Sequence, residues 1–347
     1  MSDKTRQAVK SGDNSTTIQA GTIIIQQSDE EKMRTISREV MRSELSVLTD
    51  TAAKTFRQRA DEMTETLLSE IRETAEFDID KFQQPSFQLS LNDAQREFGK
   101  MGGDELKKGL VQLLVKIGQE KNDEKERLYE EAIKTLPLLS MARIHALTLI
   151  CGVRNITYKP SNFNKLFENL QKDLLSFVET AATSDFSFNH MEYSKVGKLD
   201  MGTFNFADSL AKKYPAIFMN GIAERDIPEL VLPVTKEKFF IPCFHDGEKL
   251  QLKYMDNEAL DTALKTEKVS EEEIDELRQL FNKSKMKSDQ IKKVLVEKDA
   301  RFDRLFNYFD NTQASRFSLS SVGMIIGIIE IETVGGEQIN LSEWIKD

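Results

Sequence analysis

Cysteine is scarce in this sequence, and the two residues present lie far apart. Cys151 and Cys243 are the only cysteines among 347 residues, and both stand in apolar surroundings. Two isolated thiols exclude a disulfide framework, and no Cys-x-x-Cys or His-x-x-x-His spacing accompanies them. We therefore expect buried free thiols, no zinc or other metal, and no cofactor.

Long apolar runs are also missing. The most apolar stretch, Met324 to Ile329, is far too short to cross a bilayer, and residues Met1–Lys4 lack the apolar core of a signal peptide. No Gly-x-x-x-x-Gly-Lys-Ser/Thr loop is present, which disfavours a P-loop ATPase. The sequence thus predicts a cytoplasmic protein without membrane contact.

Acidic residues outnumber basic ones. The formal net charge is −10 and 31% of the residues are charged. A chain of this charge gains little from a phosphate backbone, so nucleic acid is not the expected partner. Two small basic clusters, Lys283–Lys287 and Lys292–Lys293, are interpreted as solvated helix faces.

The sequence does have a short β-forming segment near its start. Turn formers at Gly12–Ser15 precede two β-prone runs, Thr16–Ala20 and Thr22–Gln26. This segment resembles the GDNS…IQAG tags that stand ahead of unrelated domains in bacterial defence proteins. Because a lone hairpin is marginal in water and an exposed strand edge recruits further strands, we expect copies of the segment to pair between chains. The predicted oligomerisation residues are Ile18, Ile23, Ile24 and Ile25.

Two other interpretations of this segment remain open, namely an edge strand of the main domain and a tail without regular structure.

After the β-forming segment, the sequence predicts one long charged amphipathic helix over 28–84. Ser28 and Glu31 form a capping box, and no glycine or proline occurs between Gly21 and Pro85. Its single apolar stripe requires a partner, either its own chain or copies of itself, and the adjacent tag favours copies.

The rest of the chain predicts a mainly α fold in two further parts. Residues 85–182 are predicted to form a helical domain. Residues 183–347 are predicted to begin with an irregular or β segment and to continue as helices. In this last part, Ser270 and Glu273 form a second capping box, and Gly335 ends the final helix.

Candidate catalytic residues are few. His145 lies on the most apolar helix and is interpreted as a core histidine with a satisfied hydrogen bond. Restriction-type nucleases place an Asp on one strand and a Glu-x-Lys pair on the next, around a divalent metal. Residues 185–250 offer the weak candidates His245, Glu237 and Asp246, with further carboxylates at Asp226 and Glu229. The Glu-x-Lys spacing is missing, so a nuclease effector is the alternative and a non-enzymatic protein the favoured interpretation.

Further stretches carry a family resemblance. One is a helical block that includes Asn92–Gln95, Gly103–Leu106 and Val111–Leu114, and the other is the ending Phe317–Gly323. Both are similar to the abortive-infection alpha proteins of bacteria, which implies a winged-helix-like C-terminal part. The whole layout, from the tag to Trp344, resembles an uncharacterised family of bacterial cytoplasmic proteins. Together with the tag, the apolar stripe of the long helix and the absence of catalytic motifs, these resemblances predict a homo-oligomeric, non-enzymatic scaffold or sensor in antiphage defence, whose partner is a protein or a phage component.

Overall fold

The structure of the chain is a computed structural model. It describes the backbone of residues 18–19 and 22–23 and the ranges 27–45, 48–74, 76–227, 239–254, 256–266 and 270–335. Over these residues the fold is mainly α, as the sequence predicts, and contains three short antiparallel strand pairs.

The helices and strands are numbered here in chain order. The helices are α1 (Gln27–Leu45), α2 (Asp50–Glu73), α3 (Pro85–Met101), α4 (Asp104–Gln119), α5 (Asp123–Thr135), α6 (Met141–Ile150), α7 (Phe163–Leu174), α8 (Asp185–Tyr193), α9 (Phe206–Lys213), α10 (Asn257–Thr266), α11 (Glu271–Ser284), α12 (Ser288–Lys298), α13 (Arg301–Asn311) and α14 (Ser321–Gly335). The strand pairs are β1 (Ile18–Gln19) with β2 (Thr22–Ile23), β3 (Gly197–Leu199) with β6 (Phe317–Leu319), and β4 (Phe240–Pro242) with β5 (Leu250–Leu252).

The chain divides into two compact units. The first comprises the chain up to Met141 together with Ser321–Thr333, and the second comprises Ala142–Ser320 together with the residues from Val334. This division differs from the predicted boundary between residues 182 and 183, and it assigns most of α14 to the first unit. Sequence order does not reveal such an assignment, because a helix from the end of the chain completes a core built from its beginning.

The core of the first unit forms along α2, which lies against α3 and α4. The buried residues of α2 recur at the predicted helical spacing and include Phe56, Ala60, Met63, Leu67 and Ile71. Two glycines allow aromatic rings to approach neighbouring helices closely. A Cβ atom on Gly99 would lie 2.5 Å from the Phe56 ring, and one on Gly118 would lie 2.0 Å from the Phe77 ring.

The predicted single helix over 28–84 is wrong, because the structure has two α-helices in this range. The first begins at Gln27, one residue before the predicted cap at Ser28. The second begins after Thr49, whose extended backbone (φ −66°, ψ 156°) occupies the N-cap position. Thr49 and Asp50 are residue types favoured at a helix N-terminus, although the Thr49 side chain makes no capping hydrogen bond to the helix.

Helices α1 and α2 run antiparallel and are joined by ion pairs. These pairs connect the two helices in reverse order: Glu30 with Arg72, Arg34 with Glu65, and Arg38 with Asp61. Met33 and Met41 of α1 are buried, at 1% and 3% exposure, and α1 also lies against α3. The apolar stripe of α1 therefore finds its partner in its own chain, contrary to the expectation that it packs on a second copy.

The last helix, α14, is apolar on nearly every side and ends at Gly335, as predicted. Its isoleucines are almost fully buried. Glu332 is its buried acidic residue, and its carboxylate pairs with Lys116 of α4 at 2.9 Å. This pair connects α14 to α4 within the first unit.

In the second unit, α6 continues as a π-helical turn over Cys151–Asn155. A separate buried cluster surrounds the β4–β5 pair and includes Met219, Phe239, Leu252, Leu277 and Phe281. The capping box of Ser270 and Glu273 is present at the start of α11, which confirms that prediction. Cys151 and Cys243 are both buried, also as predicted.

The beginning of the part 183–347, predicted to be irregular or β, contains the helix α8. Ser184 caps this helix by accepting a hydrogen bond from the N–H of Ser187 at 3.3 Å. The strand β3 follows α8 and pairs with β6, with Leu199 opposite Phe317. Aromatic residues among Ser and Asn obscured the helical spacing of this segment in the sequence.

Candidate functional site

The N-terminal strand pair is the candidate assembly site. Ile18 lies opposite Ile23, and Gln19 lies opposite Thr22. Two residues separate these strands, which is the commonest length of a hairpin connection. Strand β2 lies against α2 of the same chain. Two of the predicted oligomerisation residues are thus cross-strand partners, and the other two, Ile24 and Ile25, lie outside the described residues.

Among the described residues, β1 and β2 form a sheet of two strands. Each strand therefore has one edge that pairs with no other strand there. Backbone groups on such edges act as templates for a further strand. Successive residues of a strand lie on opposite faces, so the Ile18–Ile23 pair and the Gln19–Thr22 pair occupy opposite faces. A two-stranded pair of this length is below the size that is stable alone.

Among the candidate catalytic residues, His245 lies between β4 and β5 and packs on an aromatic ring. Its imidazole meets Phe163 edge-on, with ring centroids 4.6 Å apart. Its Nδ1 is buried without a hydrogen-bond partner among the described residues. Burial lowers the pKa of His245, and the charges of Lys249 and Lys298 act in the same direction, while Asp246 opposes them. The imidazole is therefore neutral at physiological pH.

Asp246, the neighbouring candidate, is engaged within its own turn. Its carboxylate lies 3.0 Å from Lys249 Nζ and accepts a hydrogen bond from the N–H of Glu248 at 3.2 Å. The contact with Lys249, above all, lowers the pKa of Asp246. Glu237 and Glu229 lie outside the described residues, so the structure does not place them relative to His245.

The other polar side chains that the sequence singled out have partners of their own. His145 Nδ1 lies 2.7 Å from Thr180 Oγ1, which confirms the predicted hydrogen-bonded histidine. Cys243 Sγ donates to the carbonyl of Met219 at 3.6 Å. These hydrogen bonds hold the two side chains in place, which is a structural role.

The basic clusters of the C-terminal part meet acids and aromatic rings. Lys292 pairs with Asp303 at 3.1 Å, and Lys293 lies 3.8 Å from Glu297. The ammonium of Lys285 lies 4.2 Å from the centroid of the Phe281 ring. Carboxylates therefore offset part of the local positive charge.

A half-buried lysine at the π turn is a feature that the sequence did not single out. Lys213, the last residue of α9, donates to the carbonyls of Val153 at 2.9 Å and Ile156 at 2.8 Å. Carbonyls at a helix C-terminus carry partial negative charge and attract cations. Burial nevertheless lowers the pKa of Lys213 to about 8. Its position thus combines a structural contact with a titration close to the physiological range.

Helix α8 presents an aromatic face to solvent that the sequence did not reveal. Phe186 is 72% exposed and Tyr193 is 84% exposed. Together with His190 they stand at positions i, i+4 and i+7, on one side of the helix. The Arg143 guanidinium lies 5.8 Å from the centroid of the Phe186 ring. Exposed aromatic rings beside arginine are typical of protein interfaces.

Two general features of the described residues bear on the type of site. No three His, Cys, Asp or Glu side chains come together there in a group that could hold a metal ion. Nor does any helix in that part of the chain combine the length and apolarity needed to traverse a bilayer.

Comparison with known proteins places the chain in a family. The model of an uncharacterised protein family matches residues 29–345. The chain belongs to this family. The matched region begins within α1 and follows the strand pair β1–β2. No curated protein and no solved structure matches the chain.

Proposed function

We propose that this chain is a homo-oligomeric, non-enzymatic scaffold or sensor of bacterial antiphage defence, assembled through its N-terminal strand pair. The observation that carries the proposal is the antiparallel pairing of Ile18 with Ile23 in a ladder of two residues per strand. Strands added from other copies occupy the outer edges and enlarge the sheet to a stable size.

The extent of the family supports a separate role for this strand pair. The family match starts at residue 29, so it covers the helical body and leaves out β1 and β2. An assembly tag ahead of a family-specific body has this arrangement. The likeness of the tag to those of bacterial defence proteins, and of the body to abortive-infection alpha proteins, supports the defence setting.

The aromatic face of α8 supports a role for the body in binding a partner. Tyrosine and arginine dominate the binding energy of many interfaces, because they bury large areas and still make polar contacts. Phe186, Tyr193 and Arg143 offer these groups on one helix and its neighbour. A protein, of the host or of a phage, is the partner that this chemistry fits.

Lysine substitutions in the strand pair test the assembly. Ile18→Lys with Ile23→Lys places two like charges on one face, and the matched control, Gln19→Lys with Thr22→Lys, places the same charges on the other. Light scattering should give a multiple of 39.7 kDa for the unaltered chain and the control, and a single chain for the isoleucine variant. An unaltered chain that is monomeric at every concentration would contradict the proposal.

Phage challenge of bacteria that express the same variants tests the defence role. The unaltered chain and the Gln19/Thr22 control should protect, and the Ile18/Ile23 variant should not. Tyr193→Ala should keep the oligomeric mass and lose protection, which separates partner binding from assembly. Protection by the monomeric variant would refute the link between assembly and defence. Cleavage of nucleic acid by the unaltered chain, abolished in His245→Ala, would instead support the nuclease alternative.

A further inference from the structure

A small cavity lies within the first unit, where α1, α2 and α3 meet. Its volume is about 10 Å³, close to the space that one water molecule requires. Ser37 of α1, Thr64 of α2 and Gln95 of α3 contribute polar side chains to its wall. The wall is therefore polar, although the other buried residues of α2 and α3 are mainly apolar.

The hydrogen bonds of Thr64 fix the orientation of the Gln95 amide. The Thr64 hydroxyl donates to the carbonyl of Ala60 at 2.9 Å, so its oxygen can only accept from Gln95. The Gln95 Nε2 group is the donor in that contact, at 3.2 Å. The Gln95 amide oxygen is consequently directed away from Thr64.

Two of the residues that line the cavity each have a side-chain oxygen without a hydrogen-bond partner among the described residues. These oxygens are Ser37 Oγ and Gln95 Oε1, and each side chain is only 1% exposed. A buried polar atom that makes no hydrogen bond is costly, and most such atoms in proteins have a partner or an ordered water. Gln95 Oε1 only accepts, whereas the Ser37 hydroxyl donates and accepts, so one molecule with two O–H donors satisfies both.

We propose that this cavity binds one water molecule, which donates to Gln95 Oε1 and makes a second hydrogen bond with Ser37 Oγ. The volume suits no larger ligand. The two arginines of the wall, Arg34 and Arg38, pair with its two carboxylates, Glu65 and Asp61, so these carboxylates are already engaged and do not favour a metal cation. The water thus joins α1 to α3.

Ion pairs border the same cavity between α1 and α2. Arg34 pairs with Glu65, and Arg38 Nε lies 4.0 Å from Asp61 Oδ1. Around this site, α1 is held by charge pairs and by water, while Met41 supplies an apolar contact. The water site lies in the helical body and does not depend on the proposed assembly.

A high-resolution crystal structure of the full chain tests the proposal directly. It should show one ordered water at hydrogen-bonding distance, roughly 2.7–3.2 Å, from both Ser37 Oγ and Gln95 Oε1. A cavity without density would overturn the proposal. So would a direct hydrogen bond between Ser37 and Gln95 that closes the cavity.

Substitutions on α1 give an independent test in solution. Ser37→Val fills the cavity with methyl groups, and the control Thr35→Val places the same side chain at an exposed position of the same helix. Magnetic relaxation dispersion of water counts the long-lived internal molecules. The count should fall by one in Ser37→Val and stay unchanged in Thr35→Val. An unchanged count in a folded Ser37→Val protein contradicts the proposal, and if that variant does not fold, the crystal structure of the unaltered chain decides.

Discussion

The ion pair of Lys116 and Glu332 connects the last helix to α4, and breaking it should destabilise the first unit strongly. Lys116 Nζ lies 2.9 Å from one carboxylate oxygen of Glu332 and 3.2 Å from the other. The two side chains are 12% and 6% exposed. Glu332→Ala leaves a nearly buried ammonium without its counter-charge, which costs roughly 3–5 kcal/mol in comparable sites. We expect about 3 kcal/mol, because Lys116 keeps some contact with solvent.

Urea denaturation followed by circular dichroism measures this loss. The double variant Lys116→Met with Glu332→Leu should recover most of the stability, since it leaves no uncompensated charge. Glu168→Ala is the matched control, because Glu168 pairs with Lys165 at 3.2 Å in a contact whose side chains are 61% and 58% exposed. Such exposed pairs contribute at most about 1 kcal/mol. The reasoning is refuted if Glu332→Ala destabilises the protein no more than the control does.

Two further predictions concern packing and titration. Gly118→Ala should destabilise the protein by about 1–3 kcal/mol in thermal denaturation, because its Cβ meets the Phe77 ring. Adding Phe77→Leu to this variant should restore stability. The control Gly202→Ala, whose Cβ lies in open space, should change stability little. Burial lowers the pKa of Lys213 from 10.5 to about 8, so the unfolded chain retains a proton there that the native chain loses. The free energy of unfolding, relative to Lys213→Met, should therefore rise by about 1–2 kcal/mol between pH 8 and about pH 10; equal pH profiles would contradict this.

Local signals in the sequence were sufficient for much of the helical body. The sequence predicted an amphipathic helix in this region, and Phe56, Ala60, Met63, Leu67 and Ile71 of α2 recur at helical spacing and are buried. The capping box at Ser270 predicted the start of α11, because both of its hydrogen bonds are made within four residues. Such features depend on neighbours in the chain, so one sequence suffices to find them.

The break between α1 and α2 depends on contacts that no local pattern contains. The helical period continues across the break, and a straight helix satisfies it equally well. The antiparallel arrangement gains the Arg34–Glu65 and Glu30–Arg72 pairs and buries Met33 within the first unit. These partners lie more than thirty residues apart, so their pairing is a property of the tertiary fold.

The sequence predicted the strands of the candidate site but not the contacts between distant residues. The β propensity around Gly21 correctly indicated strands, and the structure adds the register of Ile18 opposite Ile23. The polar cavity combines Ser37 and Gln95 from different helices, and nothing in either local sequence marks it. The assembly itself stays a prediction, because it concerns contacts between chains.

The central claim is that strand pairs of different copies lie together. A spin label at Thr22→Cys tests it most directly, because Thr22 lies on the face opposite the isoleucine pair and because Cys151 and Cys243, at 0% and 4% exposure, are shielded from labelling. With one label per chain, electron–electron dipolar coupling reports only distances between copies. We predict a well-defined coupling that weakens as unlabelled chain is mixed in; labels that show no coupling at any protein concentration would contradict the account.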